Sequence, residues 1–161
     1  MATSLYKLDQ QTALQRRGVS LPAQGDNQVT QVLRSLGAVT YDLRLPETKL
    51  LSQILYDDER VVGIVWGQYH ELAQNLSGRG ALVATNKRVL LVDKKPFFVR
   101  SDQLMYAVVS GVTYSKVGVA GTVTLHTRMG DISRRTYNQQ CAFHFVRAIE
   151  RNIISSSKEI L

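Results

Sequence analysis

Short strand-like segments follow one another from residue 79 to residue 137 with no helical segment between them, and this feature constrains the fold most. ALVAT and RVLLV are separated by Asn86 and Lys87, a plausible two-residue turn because asparagine tolerates a positive φ angle. In GTVTLHTR, apolar and polar residues alternate with the period of a half-buried strand. With the apolar run ERVVGIVWGQYHE upstream, the sequence predicts an antiparallel meander of about seven strands. Such a meander bends into two packed sheets or a partly open barrel.

An amphipathic helix is predicted after the strands. Asn138 is a good N-cap residue. The apolar residues that follow recur at helical spacing: they are Ala142, Phe145, Val146, Ile149 and Ile153. Burial of each large side chain contributes roughly 1.5–3 kcal/mol, so we expect this helix to dock on the sheet and to plug an open end. The predicted fold class is therefore α+β.

The first 45 residues differ from the rest, with many glutamines and few aromatic residues. We interpret residues 1–45 as an N-terminal helical extension or linker and residues 46–161 as the main domain. One helix is predicted from a Ser4 cap to Gly18, and a second from an Asp26 cap to Gly37. The apolar face of the second helix packs either on the barrel or on another chain, which leaves self-association through residues 26–45 open.

Residues 39–45 alternate in polarity, as in a strand or an extended linker. Pro46 is well placed as the first residue of a further helix. Within the following strand, Gly63 and Gly67 suggest a bend or a bulge. Trp66, on the same strand, is predicted to be a core residue.

The chain is basic, with a formal net charge of +7 and a pI near 9.8. Residues 79–151 carry twelve lysines and arginines against four acidic residues. Such a balance favours anionic partners: nucleic acid, acidic protein or anionic lipid. The candidate anion-binding residues lie in and near the turns of this region: Lys87, Arg88, Lys94, Lys95, Arg100, Arg128, Arg134 and Arg135.

The sequence contains little evidence of a catalytic site or a metal site. His70, His126 and His144 lack the spacing of metal ligands. The single cysteine, Cys141, offers neither an internal disulfide nor a zinc set. No P-loop, G-x-S-x-G or G-x-G-x-x-G motif occurs. We therefore predict no catalytic residue, no metal and no cofactor.

No segment has the length of a membrane span or the apolar core of a signal peptide. These features predict a cytoplasmic protein, either soluble or held peripherally at the membrane.

The segment TNKRVLLVDKK, preceded by the glycine-containing strand GRGALVA, resembles the bacterial pleckstrin-homology (PH) family of the YokE-like type. KLLSQILYDDERVVGIVWG and the strand SGVTYSK are similar to other parts of that family, so the resemblance covers residues 46–155. It implies two nearly orthogonal antiparallel sheets closed at one corner by the C-terminal helix. It also implies a non-catalytic binding or scaffolding role.

Eukaryotic relatives in this family often bind phosphoinositides through basic residues on the first hairpin. The corresponding connection here contains Glu71, Asn75 and Arg79 but no lysine, which counts against stereospecific inositide recognition. The expected partner is a protein or an anionic membrane surface.

The alternative function is that of a basic β-barrel that binds nucleic acid. It is less favoured because the helix that an OB-fold has between its third and fourth strands is not visible. The aromatic residues also do not interleave with the cations, and we expect them in the core: they are Phe97, Phe98, Tyr106 and Tyr114.

Overall fold

The computed structural model describes residues 22–71 and 76–160. The helix predicted over residues 4–18 lies outside these ranges. The helices are α1 Pro22–Ser35, α2 Thr40–Leu43, α3 Pro46–Ile54 and α4 Gln139–Ile160, with a 3₁₀ turn at Tyr106–Val108. The strands are β1 Val61–Glu71, β2 Leu76–Thr85, β3 Val89–Lys95, β4 Phe98–Leu104, β5 Val109–Val117, β6 Ala120–Thr127 and β7 Gly130–Thr136.

The seven strands form one antiparallel sheet in the order β4-β3-β2-β1-β7-β6-β5. Its two halves, β1 to β4 and β5 to β7, are joined where Gln68 of β1 pairs with Arg135 of β7. Strands β4 and β5 are the two edges, so the sheet does not close into a complete barrel. The predicted α+β fold with two bent antiparallel sheets is confirmed.

Two glycines of β1 let other backbones approach it closely. A Cβ atom at Gly67 would lie 2.2 Å from the carbonyl oxygen of Arg135, where β7 crosses β1. A Cβ atom at Gly63 would lie 2.8 Å from the Cα of Phe145, where α4 packs. The β1–β2 register also shifts between Val61 and Gly63. The predicted irregularity is therefore present at Gly63, whereas Gly67 lies in continuous register with β2 and accommodates the close approach of β7.

The C-terminal helix α4 packs on the concave side of the sheet. Asn138 caps it, since its Oδ1 accepts the backbone N–H of Cys141 at 3.1 Å. Phe145 and Ile149 are fully buried among inward-facing strand residues such as Val65. The amphipathic helix predicted from residue spacing is confirmed, together with its cap.

Helices α1 and α3 cover the opposite face of β1, β2 and β3. Leu33 of α1 and Leu51 of α3 are fully buried in a second core with Ile64 and Trp66 of β1. These strands are therefore buried on both faces, which explains why their sequences are almost continuously apolar. Trp66 is a core residue, as predicted, and its Nε1 donates to Thr48 Oγ1 at 2.9 Å.

Residues 39–45 do not form a strand. Their central part is the single helical turn α2, in which the Asp42 carboxylate accepts the backbone N–H of Val39 at 3.0 Å. Asn138 also donates to this carboxylate, at 2.9 Å. Such side-chain bonds to the backbone compete with strand pairing, and the alternation in polarity could not reveal them.

No helix within the described residues is long and apolar enough to cross a membrane.

Candidate functional site

Strand direction divides the predicted anion-binding residues between the two ends of the sheet. Strands β3 and β6 run parallel to β1, because each is separated from it by two antiparallel pairings. The β3–β4 and β6–β7 turns therefore lie at the end where β1 finishes, and the β2–β3 turn lies at the other end. Lys94, Lys95, Arg100 and Arg128 fall at the first end, and Lys87 and Arg88 fall at the second.

Arg88 is a structural residue. Its Nε and Nη2 donate to the Glu59 carboxylate at 2.8 and 2.9 Å, and the Glu59 side chain is completely buried. The guanidinium also donates to the Ile54 carbonyl at 3.1 Å and to Gln103, and it lies 4.2 Å from the centre of the Tyr56 ring. Arg88 therefore anchors the end of α3 to the β2–β3 hairpin, and the structure removes it from the predicted surface site.

The ionisation of Glu59 reflects this arrangement. Burial raises the pKa of this carboxyl group, but the hydrogen bonds from Arg88 and Thr85 outweigh burial, and the pKa is lowered overall. The pKa of Arg88 is raised, with the hydrogen bond to Glu59 as the largest cause. Both groups are therefore charged in the folded protein at neutral pH.

Lys87 lies beside Arg88 but is exposed. Its Nζ is 2.5 Å from Asp58 Oδ2, and the hydrogen bond from Lys87 is the largest cause that lowers the pKa of Asp58. This pair is at the surface, where ion pairs contribute little to stability. Lys87 is thus a surface cation with a local acidic partner, at the end of the sheet away from the other candidates.

Arg134 is also buried, contrary to its predicted role as a surface ligand. It faces the interior of the bent sheet, with its guanidinium carbon 4.6 Å from the centre of the Tyr69 ring. Tyr69 donates to Asp93 Oδ2 at 2.5 Å, and that hydrogen bond is the largest cause that raises the pKa of the tyrosine. Lys95 Nζ reaches the other oxygen of Asp93 at 2.6 Å. Arg134, Tyr69 and Asp93 line one small cleft with Arg100, so this end of the interior is polar.

Three exposed apolar side chains at this end, including the most exposed one, belong to residues 94–100, which we call the β3–β4 tip. Pro96 and Phe97 form the turn between the strands. Phe97 is 98% exposed, Phe98 52% and Val99 54%. Cations flank them: Lys94 pairs across the hairpin with Val99, and Arg100 follows directly. The tip therefore projects apolar side chains into solvent, with positively charged side chains on both sides of them.

This corrects the expectation that the four strand aromatics lie in the core. Tyr106 is buried, but Phe97, Phe98 and Tyr114 are exposed. The exposure of Phe97 could have been predicted from the turn. The chain reverses within two residues at Pro96 and Phe97, so Phe97 has no sheet face to pack against. The segment KKPFFVR places cations on both sides of an aromatic pair, and sequence reasoning missed it.

The other cations at the same end are Arg128, in the β6–β7 turn, and Arg135 on β7, both exposed. Neither forms an ion pair with any residue that the structure describes. Arg100 pairs with Asp102 at 2.6 Å. The structure thus brings Lys94, Lys95 and Arg100 together on one hairpin and places Arg128 and Arg135 on neighbouring elements.

Groups of three or more side chains able to hold a metal ion are not found among the residues described.

Comparison with known proteins gives one family match. A family model described as "Bacterial PH domain" matches residues 55–151. The search of curated proteins found no match. Among solved structures, the chain is similar to a DUF1696 family protein with a pleckstrin-homology domain from Shewanella loihica PV-4, with 16% identity and a TM-score of 0.46 over 64% of this chain and 86% of that one. It is also similar to the Vps36 N-terminal PH domain, with 19% identity and a TM-score of 0.48 over 65% of this chain and 86% of that one.

Proposed function

The chain belongs to the bacterial PH domain family, and from this premise we propose that it is a non-catalytic binding module that docks on an anionic membrane surface. The β3–β4 tip is the proposed contact. The protein would be cytoplasmic and peripheral at the membrane. Residues 46–161 would form the binding domain, with residues 1–45 as an extension of it.

The observation that carries this proposal is the exposure of Phe97 and Phe98 between cations. Phe97 is almost fully exposed and Phe98 is about half exposed, and water solvates such large apolar side chains poorly. At a lipid interface they can enter the boundary between head groups and acyl chains, while Lys94 and Arg100 remain at the level of the phosphates. The lysine and arginine side chains are long enough to allow this.

The expected affinity is modest. Full burial of a phenylalanine contributes roughly 1.5–3 kcal/mol, and Phe98, already half-buried, contributes about half as much. Each cation near an anionic surface contributes about 1 kcal/mol. The contributions of the two phenylalanines and two cations sum to about 4–6.5 kcal/mol. This total corresponds to a partition constant on the order of 10³–10⁵ M⁻¹, a range that includes the value for a single myristoyl chain. Binding should therefore be reversible and sensitive to salt.

The shape of the tip favours a membrane over nucleic acid. Proteins that bind single strands hold them in a basic groove with aromatic residues as stacking platforms. Phe97 and Phe98 are instead at the apex of a hairpin, which suits insertion better than the lining of a groove. Arg88 and Arg134, which would have extended a basic surface, are buried.

Vesicle flotation of the full chain tests the proposal. We expect binding to vesicles of phosphatidylcholine mixed with phosphatidylserine, little binding to phosphatidylcholine alone, and release as salt rises. The F97A/F98A variant should lose on the order of 100-fold in partitioning, since about 3 kcal/mol of burial is removed.

The V117A/V119A variant is the matched control. Val117 ends β5 and Val119 lies in the β5–β6 turn; both are largely exposed, and both lie at the opposite end of the sheet. Equal binding to neutral and acidic vesicles, or equal losses in the two variants, would refute the proposal. A single-stranded oligonucleotide that displaces the chain from acidic vesicles and requires Phe97 would favour the nucleic-acid alternative.

A further inference from the structure

A separate cleft of about 510 Å³ lies on the outer face of the sheet and is lined by residues outside the β3–β4 tip, although Lys95 of the tip donates to the backbone carbonyl of Arg79. Its walls are α2 on one side and the start of α4 on the other, and Trp66 of β1 lines it between them. The wall contributed by residues 39–42 lies outside the part of the chain that matches the family model.

Apolar and polar side chains both line the cleft, and the polar ones include Asp42, whose carboxylate accepts hydrogen bonds from Val39 and Asn138. Tyr41 of α2 is 59% exposed and Tyr137, just before α4, is 61% exposed. Val39 adds a third exposed apolar side chain. Aromatic side chains that remain in water around a concave site are typical anchors for a partner's side chain.

Arg79 lines the cleft, and Arg135, which precedes the lining residue Thr136, lies on the same face of the sheet. Gln68 of β1 pairs with Arg79 of β2 on one side and with Arg135 of β7 on the other. Residues directly opposite in antiparallel strands project from the same face, so all three side chains point outward beside Trp66. Two strand spacings separate the arginines by about 10 Å. Neither arginine side chain makes an ion pair within residues 22–71 and 76–160.

We propose that this cleft binds a short acidic segment of a partner protein. One apolar or aromatic side chain of the segment occupies the space between Tyr41 and Tyr137, and carboxylates of the same segment bind Arg79 and Arg135. An extended peptide advances about 3.3 Å per residue, so three or four residues span the two arginines. The cleft and the arginine pair together form a surface longer than a small metabolite and suited to a peptide.

This inference goes beyond membrane docking and does not depend on it, because the two surfaces share no residue. A chain that binds lipid through the β3–β4 tip and a peptide through the cleft would act as an adaptor. Failure of vesicle binding would leave the cleft proposal intact, and failure of peptide binding would leave the membrane proposal intact.

Selection from a random peptide display library against the full chain is the experiment. We expect enriched sequences to carry an aromatic or large aliphatic residue next to two or more aspartates or glutamates. Synthetic copies of the enriched peptides should bind R79E/R135E at least about tenfold more weakly, because an attraction becomes a repulsion. Y41A/Y137A should weaken binding by a similar factor through loss of the aromatic anchors.

R60E/K116E is the matched control, since it makes the same change in net charge at exposed residues away from the cleft. It should bind the peptides as the unchanged chain does, and melting curves should show that all variants fold. Three outcomes would each overturn the proposal: no enriched sequence, enriched sequences without acidic residues, or equal weakening by R79E/R135E and R60E/K116E.

Discussion

Replacement of Arg88 by methionine should destabilise the protein strongly, although Arg88 lies in a basic turn that resembles a ligand site. Methionine keeps most of the length and the apolar stem of arginine, so the substitution removes the charge with little loss of packing. The Glu59 carboxylate would then remain buried with two hydrogen bonds, from the Thr85 hydroxyl at 2.8 Å and the Tyr56 backbone N–H at 3.1 Å. Loss of one partner of a buried ion pair typically costs about 3–5 kcal/mol.

Protonation of Glu59 sets an upper limit on the electrostatic part of this cost. At pH 7, protonating a carboxyl group whose unfolded pKa is about 4.3 requires roughly 3.7 kcal/mol, and at pH 5 it requires about 1 kcal/mol. In the unchanged protein the pKa of Glu59 is lowered, so its contribution is complete above the unfolded pKa and is lost as pH falls through the lower folded value. The destabilisation by R88M should therefore shrink by up to about 2.7 kcal/mol between pH 7 and pH 5. The cost of the lost hydrogen bonds to Ile54 and Gln103 remains at both pH values.

Urea unfolding followed by the fluorescence of Trp66, the single tryptophan, measures this difference. The E59Q/R88M double variant should recover most of the stability lost in R88M, because no buried charge remains. K87A, at the exposed neighbour, should leave stability unchanged. A loss in R88M that is the same at both pH values, or below about 1 kcal/mol at pH 7, would refute the assignment of Arg88 as the partner of a buried Glu59.

Two further predictions test the crossing of the strands and the burial of α4. G67A should destabilise the protein by roughly 1–3 kcal/mol, because its Cβ would overlap the Arg135 carbonyl, whereas G111A, with 3.9 Å to its nearest neighbour, should melt close to the unchanged protein. Cys141 should react with a thiol-specific disulfide reagent only as urea unfolds the chain, because burial raises the pKa of its thiol to about 12; fast labelling of the native protein would contradict this.

The spacing of apolar residues predicted those parts of the fold in which a local sequence pattern determines a single helix or strand. The helix α4 follows from a cap and an apolar stripe, and the meander follows from short strands with short turns. The family prediction is confirmed over residues 55–151, while the YokE-like type stays a prediction. The turn at residues 39–45 was not predicted, because it depends on Asp42 and on Asn138, which is 96 residues away.

The site was less predictable because charge counts carry no information about burial. In the sequence, Arg88 and Arg134 are cations near turns, as Lys94 is. In the structure, however, Arg88 is buried against Glu59 and Arg134 is buried against the Tyr69 ring. The exposed aromatic tip was missed because phenylalanine is usually a core residue, whereas Phe97 is almost fully exposed. Turn geometry at Pro96 is the local signal that distinguishes the two.

The helix α1, within the predicted N-terminal extension, offers a test of what covers the outer face of β1. The sequence allows the helix within residues 26–45 either to pack on its own chain or to contact another chain. In the structure Leu33 is fully buried against β1 and α3, which favours packing on its own chain. A chain that starts at Leu45 would uncover part of the apolar face that includes Ile64 and Trp66. Exposed apolar patches above a few hundred Å² promote association.

We therefore expect light scattering to give a monomer mass for the full chain and a larger mass for the shortened one, with a lower melting temperature. Monomeric masses and equal melting temperatures for both would show that residues 1–44 contribute no packing energy. A full chain that is dimeric, with a shortened chain that is monomeric, would instead place the apolar face of α1 between two copies. Because α2 supplies a wall of the cleft, the shortened chain should also lose the peptide binding proposed for Arg79 and Arg135, even if it remains folded.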